Sequence, residues 1–197
     1  MDSPPTLLLD VLDTLVHDPF FHEVPEFFAL DFEALLASKD RQAWLDFERG
    51  SIGEAELAER YFTDRRPLDL AGLRSCMHAS YRFLPGIEPL LGELREREVE
   101  MHALSNYPVW WRLIEDRLGL SRFLAWSFVS CETGVRKPDP QAFLGAAARL
   151  GVPASECLLI DDRLENCRAA EAIGMPALRF VDADALRVEL RDRGVLA

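Results

Sequence analysis

Basic residues are in short supply in this chain. Lys and Arg number 22 against 34 Asp and Glu, a formal net charge of −12 at pH 7. A surface of that sign does not attract a phosphate backbone, so nucleic acid is excluded as a partner. Cysteine is sparse too. Cys76, Cys131, Cys157 and Cys167 form no CxxC pair and no Cys/His metal spacing. The expectation is buried thiols in a reducing cytoplasm, not disulfides. No apolar run approaches the ~20 residues of a membrane span, and Met1–Thr6 lacks the basic start of a signal peptide. A cytoplasmic protein with no membrane partner is therefore expected. Repeats and low-complexity tracts are also missing, and nothing in the pattern signals an oligomeric state.

What is present is a core. Of 197 residues 49% are hydrophobic, enough for one large domain or a core with an inserted module. Four short apolar segments read as buried parallel strands that each end in a polar group. They are Thr6–Leu9 before Asp10, Glu100–Leu104 before Ser105, Ala125–Val129, and Cys157–Ile160 before Asp161 and Asp162. Helical patterns at Ile87–Arg97, Val109–Leu118, Gln141–Leu150 and Glu165–Ile173 lie between them, and Ala177–Asp182 reads as a further strand. The alternation predicts an α/β fold, a doubly wound parallel sheet.

Residues 16–83 read differently, with helical stretches at Glu33–Ser38, Ala43–Glu48, Glu54–Phe62 and Leu70–Tyr81 and no convincing strand. Ser51 with Glu54 three positions on has the spacing of a capping box. An all-helical insert directly after the first strand predicts a cap over the carboxyl ends of the strands, where open α/β sheets hold their active sites. The predicted domains are 1–15 with 84–197 as core and 16–83 as cap.

If the strands are parallel, Asp10, Ser105, Asp161 and Asp162 converge on one sheet edge, and Lys137 in the loop GVRKPDP reaches the same place. Clustered carboxylates repel one another unless a cation neutralises them, and oxygen-only ligands favour a hard ion such as Mg²⁺. The cation and Lys137 then draw in an anion, Ser105 and neighbouring backbone N–H groups hold its oxygens, and one carboxylate attacks phosphorus.

Asp10 with Thr14 and Leu15, then Ser105, then Lys137 and Pro138, then Asp161 and Asp162 with Asn166, resemble in order the four motifs of the haloacid dehalogenase (HAD) superfamily. The helical insert between the first two motifs resembles the small cap of its first subfamily. The resemblance implies a Rossmann-like core and Asp10 as nucleophile. It implies Mg²⁺ on Asp10, the Leu12 carbonyl and Asp162, supported by Asp161, Asn166 and Thr14. It further implies that Ser105, Asn106 and Lys137 bind the phosphoryl group of a small phosphorylated substrate.

One position departs from that pattern. Phosphatases of the superfamily carry a second aspartate two residues after the nucleophile, as acid and base. Here Leu12 stands there, and Asp13 follows where Gly is usual. An empty acid role costs on the order of 10²–10⁴ in rate with a poor leaving group. Asp13, His17 and Asp18 are the nearby stand-ins, each with a plainer role in turn or packing. The departure leaves three readings: a Mg²⁺-dependent phosphatase, a metal-independent 2-haloacid dehalogenase, or a non-catalytic protein that binds a phosphorylated ligand. The Asp161–Asp162 pair favours a metal site and the first reading.

Aromatic residues crowd the insert, in DPFFHEVPEFF (18–28) above all, and NYPVWW (106–111) follows Ser105. Tyr107 or Trp110 could stack on a planar ligand or simply pack core against cap. The first motif DVLDTLVHDPF, the aromatic segment and SNYPVWW together are also similar to plant chloroplast flavin mononucleotide hydrolases of this superfamily, which implies FMN as a substrate.

Overall fold

The computed structural model describes residues 4–197. Strand β1 (Thr6–Leu9) is followed by five helices, α1 (Glu23–Phe27), α2 (Phe32–Ser38), α3 (Arg41–Glu48), α4 (Glu54–Arg60) and α5 (Leu70–Ser80). The chain continues through α6 (Ile87–Glu96), β2 (Met101–Ser105), α7 (Trp111–Leu118), β3 (Ala125–Val129) and α8 (Ser130–Thr133). It ends with α9 (Pro140–Leu150), β4 (Cys157–Asp161), α10 (Leu164–Ala172), β5 (Ala177–Arg179) and α11 (Ala183–Asp192). The five strands form one all-parallel sheet in the order β3-β2-β1-β4-β5. No helix among the described residues is long and apolar enough to cross a membrane.

Both faces of the central strands are covered, which is why they read as unbroken apolar runs and not as alternating ones. Successive side chains point to opposite faces. Leu7, Leu9, Leu158 and Ile160 join the larger core cluster, which continues into the insert through Phe47, Leu57 and Tyr61. Leu8 and Leu159 join a smaller cluster with Phe143 and Ala170 from α9 and α10. All four cysteines are free thiols; Cys157 and Cys167 are buried, while Cys76 and Cys131 are half-buried.

Residues 16–83 leave and return at one point. Val16 and Phe83 form an antiparallel bridge, the Leu84 N–H donates to Leu15 O at 2.9 Å, and the His17 N–H donates to Arg82 O at 3.0 Å. Several element ends differ from the sequence expectation, each for a local reason. Ser51 does not cap α4: its hydroxyl donates to Asp46 O at 2.8 Å, and Gly53 occupies the cap position without a side-chain bond. α4 stops at Arg60 because the next residues are drawn into cross-chain contacts, Asp40 N–H to Tyr61 O at 2.7 Å and a bridge from Lys39 to Phe62. Helix α1 had no clear sequence signal because Pro25 interrupts its pattern, yet Pro25 lies in the first turn, where the missing N–H has no helical partner to lose. The last strand ends at Arg179, since Asp182 turns out of the sheet to cap α11 through the Ala185 N–H at 2.8 Å.

Candidate active site

Parallel strands bring their carboxyl ends to one side, and β1, β2 and β4 end there in Asp10, Ser105 and Asp161 with Asp162. One carboxylate oxygen from each of Asp10, Asp161 and Asp162 lies within 4.8 Å of the others. The buried Lys137 ammonium sits between two of them, 2.8 Å from Asp10 Oδ1 and 2.5 Å from Asp161 Oδ2. Burial pushes the Asp10 carboxyl up to about 7, opposed by Lys137 and reinforced by Asp161. For Lys137 burial acts downward, but the Asp10 and Asp161 charges outweigh it and hold the ammonium above its ordinary value.

Asp161 has no capacity to spare. Its oxygens accept from the Arg163 N–H at 2.9 Å and from Asn166 Nδ2 at 2.9 and 3.0 Å, besides Lys137. Asp162 differs: its N–H donates to buried Thr14 Oγ1 at 3.2 Å, while its carboxylate has no partner among the described residues. Burial, then Asp161 and Asp13, raise the Asp162 carboxyl above its usual range.

The Asn106 side chain clamps the Lys137 loop, donating to Lys137 O and accepting from the Lys137 N–H, both at 2.8 Å. That amide therefore positions Lys137, and what Asn106 can offer a ligand is its N–H, which has no backbone acceptor among the described residues. Ser105 is buried at the end of β2 and lines the cavity, and its hydroxyl makes no hydrogen bond among the described residues.

The donors suit a hard divalent cation. Asp10 and Asp162 supply carboxylate oxygen, and no N–H among the described residues is bonded to the Leu12 carbonyl. Asn166 Oδ1 is a buried acceptor left without a partner. An all-oxygen set with uncompensated acceptors is what Mg²⁺ requires and a thiol- or imidazole-preferring metal does not.

Leu12, Asp13 and Asp18 line the same cavity as Asp10, Ser105 and Lys137, a space of ≈ 740 Å³ between the strand ends and the helices of residues 16–83. Asp13 has φ 56°, a left-handed backbone that Asp tolerates better than most residues, so it can stand where glycine is usual. Its Oδ1 accepts the Asp18 N–H at 3.1 Å, and Asp18 in turn accepts the Phe20 N–H at 2.9 Å. Both aspartates thus have the turn roles expected of them. Asp18 has one property more: burial pushes its carboxyl up to about 7, against the Phe20 bond and Lys39 and with Asp13 and Glu48. His17 is directed elsewhere, its Nε2 2.9 Å from both Glu23 oxygens.

The aromatics divide in the same way. Trp110 is buried edge-on against Trp44 and Phe47 and donates from Nε1 to Glu54, and the Tyr107 hydroxyl meets that of Tyr81 at 2.5 Å. Their polar tips are spent within the protein, so they pack insert against core while still forming part of the cavity wall. The sequence pointed to neither Lys39 nor the pair Glu48–Arg136, which line the cavity from the insert side and from the loop before Lys137. Lys39 stands in the plain surface-like string ASKDRQ, and no local signal marks it.

A family model described as haloacid dehalogenase-like hydrolase matches residues 6–174. Flavin mononucleotide hydrolase 1 of Arabidopsis thaliana is 46% identical over 191 residues, covering 97% of this chain and 78% of that protein. A sesquiterpene phosphatase of Aspergillus oryzae is 31% identical over 159 residues, covering 76% of this chain and 78% of that one. A HAD family enzyme of Bacteroides thetaiotaomicron, crystallised with magnesium and inorganic phosphate, has the same fold, with a TM-score of 0.75 at 19% identity over 91% of this chain and 96% of that one. With its matched motifs, its parallel sheet and its relatives, the chain belongs to the haloacid dehalogenase-like hydrolase family, as a phosphatase.

Proposed function

We propose that this phosphatase is Mg²⁺-dependent and hydrolyses a small phosphomonoester, FMN first among those to test, through an aspartyl phosphate on Asp10. The observation that carries the reading is the Asp10–Lys137–Asp161 arrangement beside the unpartnered Asp162 carboxylate. Two carboxylates holding one buried ammonium, with acceptors left over, make a site that gains by taking up a cation and an anion together. The Arabidopsis relative, an FMN hydrolase by name, supports the choice of ester.

Asp10 attacks phosphorus in line, forming a P–O bond as the ester P–O bond breaks and its electron pair leaves on the alcohol oxygen. The Ser105 hydroxyl, the Asn106 N–H and the Lys137 ammonium hold the phosphoryl oxygens as charge develops on them. Asp10, the Leu12 carbonyl and Asp162 would hold Mg²⁺, which when bound would further neutralise that charge. Asp161 and Asn166 fix Lys137, and Thr14 fixes the Asp162 backbone.

Leu12 cannot move a proton. Asp18, a carboxyl of the same cavity wall with its pKa near neutrality, is assigned to protonate the leaving alkoxide and then to accept the proton of the water that cleaves the aspartyl phosphate. Residues 16–83 act as the cap over residues 1–15 and 84–197, and the four free thiols suit a reducing compartment.

Phosphate release from FMN, glycerol 3-phosphate and an activated aryl phosphate tests the reading, with Mg²⁺ and with EDTA, in wild type and Asp10→Asn. Release that requires Mg²⁺ and vanishes in Asp10→Asn is expected. Turnover that is undiminished in EDTA, or that survives in Asp10→Asn, refutes it.

A further inference from the structure

Lys39 is 9% exposed, and its backbone is fixed by the bridge to Phe62 and by the Lys39 N–H to Leu35 O bond at 3.0 Å. Its ammonium lies 3.9 Å from the Trp44 ring centre, 4.3 Å from that of Phe20 and 5.1 Å from that of Tyr61. A buried ammonium ordinarily has a carboxylate partner. This one has no ion pair and no side-chain hydrogen bond among the described residues, and the reason is visible. Glu48, the obvious partner, has given Oε1 to Trp44 Nε1 and Oε2 to Arg136 Nε, each at 2.6 Å. Asp18 spends an oxygen on the Phe20 N–H. Three donors are left facing a cavity whose other end holds Asp10, Ser105 and Lys137.

Ring faces stabilise a cation but accept none of its hydrogen bonds in full. The ligand that completes this site must therefore bring acceptors. Because the ring faces are already occupied by the protein's own cation, a ligand with a cationic far end, such as an amino-alcohol phosphate, is excluded. The apolar side chains of Phe21 and Leu36, each about half exposed, line the same cavity beside the rings and suit a flat apolar body. A space of ≈ 740 Å³ falls in the range that encloses a mononucleotide-sized molecule.

From this geometry we infer that Lys39 is the specificity residue for the non-phosphate end of the substrate, donating to the carbonyl-oxygen or ring-nitrogen edge of a planar heterocycle seated against Phe21 and Leu36. The inference rests on the phosphatase reading and narrows it: the esters preferred are those of planar, acceptor-edged ring systems, a class to which flavins belong. Glu48 takes part indirectly. By engaging Trp44 and Arg136 it orients one wall of the rings and leaves the ammonium unclaimed for the ligand.

The test compares wild type with Lys39→Met, which keeps the apolar stem among the rings. Steady-state kinetics with Mg²⁺ on FMN, glycerol 3-phosphate and fructose 1,6-bisphosphate are combined with direct binding of riboflavin, which has no phosphate and needs no turnover. The expected result is a fall of about 10–100-fold in the FMN to glycerol 3-phosphate kcat/KM ratio, the size of one charged hydrogen bond, carried mainly by KM. Riboflavin binding should weaken by a similar factor. At pH 6 the Tm of Lys39→Met should be no lower than wild type, because a buried cation without an acceptor is replaced by an apolar chain.

An equal loss on all three esters overturns the assignment, as does a loss confined to the bisphosphate, which would make Lys39 a second phosphate site. A fall in Tm with unchanged selectivity also overturns it, leaving Lys39 a packing residue. If wild type turns over no ester, the phosphatase reading fails, and riboflavin binding alone then decides Lys39. Equal affinities in the two proteins would refute it.

Discussion

At the sheet end of the cavity Lys137 has a carboxylate on either side; at the helical end Lys39 has three aromatic rings and, among the described residues, no carboxylate within ion-pair distance. Both ammoniums are buried, so both face the same desolvation, yet their proton affinities part. Lys137 is held above its ordinary value, whereas Lys39 is pushed down to about 7. What separates them is the partner. Two carboxylates repay the lost hydration of Lys137, while for Lys39 burial comes first and the charges of Glu48 and Asp18 only offset it in part. At one end the ammonium has its partners before a ligand arrives. The other is left with its hydrogen bonds unmade, and a group in that state selects what can make them.

The contrast breaks most sharply at Lys137. Lys137→Met strands Asp10 and Asp161 as buried like charges, and the apo protein should lose about 3–5 kcal/mol of stability in a urea titration at pH 7.5, together with its activity. A loss below about 1 kcal/mol there would mean that the two carboxylates tolerate each other without Lys137. Asp18→Asn comes next. Turnover of FMN should drop about hundredfold, or about 2.7 kcal/mol in barrier, while an activated aryl ester loses far less. In wild type the advantage of FMN turnover should fade as pH rises through about 7, where Asp18 gives up its proton.

The smallest effect sharpens the comparison at Lys39. A lysine depressed to about 7 in the folded protein but ordinary in the unfolded one is charged in both states below pH 7, where its penalty is fully present. Above pH 7 the folded form sheds the proton first, so stability rises with pH. Wild type should gain about 1 kcal/mol on Lys39→Met between pH 7 and 8. The comparison must be made against that variant because Asp18 faces Lys39 and titrates in the same interval, and because Glu48, tied to Arg136, faces it too. A flat difference across that interval would mean that Lys39 keeps its charge as firmly as Lys137 does.

The strand ends were legible because they obey local rules. An apolar run closed by Asp10, or by Asp161 and Asp162, marks a buried strand and the polar group at its exit, and parallel pairing gathers those exits on one side. Asp13 was legible as a turn residue for the same kind of reason, since aspartate accepts the left-handed backbone found there. Ser51 misled because its spacing to Glu54 fits a capping box, but a nearer acceptor, Asp46 O, took its hydroxyl. Of the two readings the aromatics allowed, stacking on a ligand or packing, their contacts favour the second. Tyr107 and Trp110 follow Ser105 directly, yet both turn into the packing between insert and core.

By itself the sequence determined the parallel sheet, the helical insert and the order of the residues that meet at the strand ends, because these depend on periodicity and on which residue follows each strand. Tertiary structure alone decided that Asn106 clamps the Lys137 loop, that His17 is tied to Glu23 while Asp18 lines the cavity, and that Glu48 chooses Arg136 over Lys39. Those outcomes turn on competition among groups far apart in the chain for a limited number of donors and acceptors in a dry interior, and no local pattern records who wins.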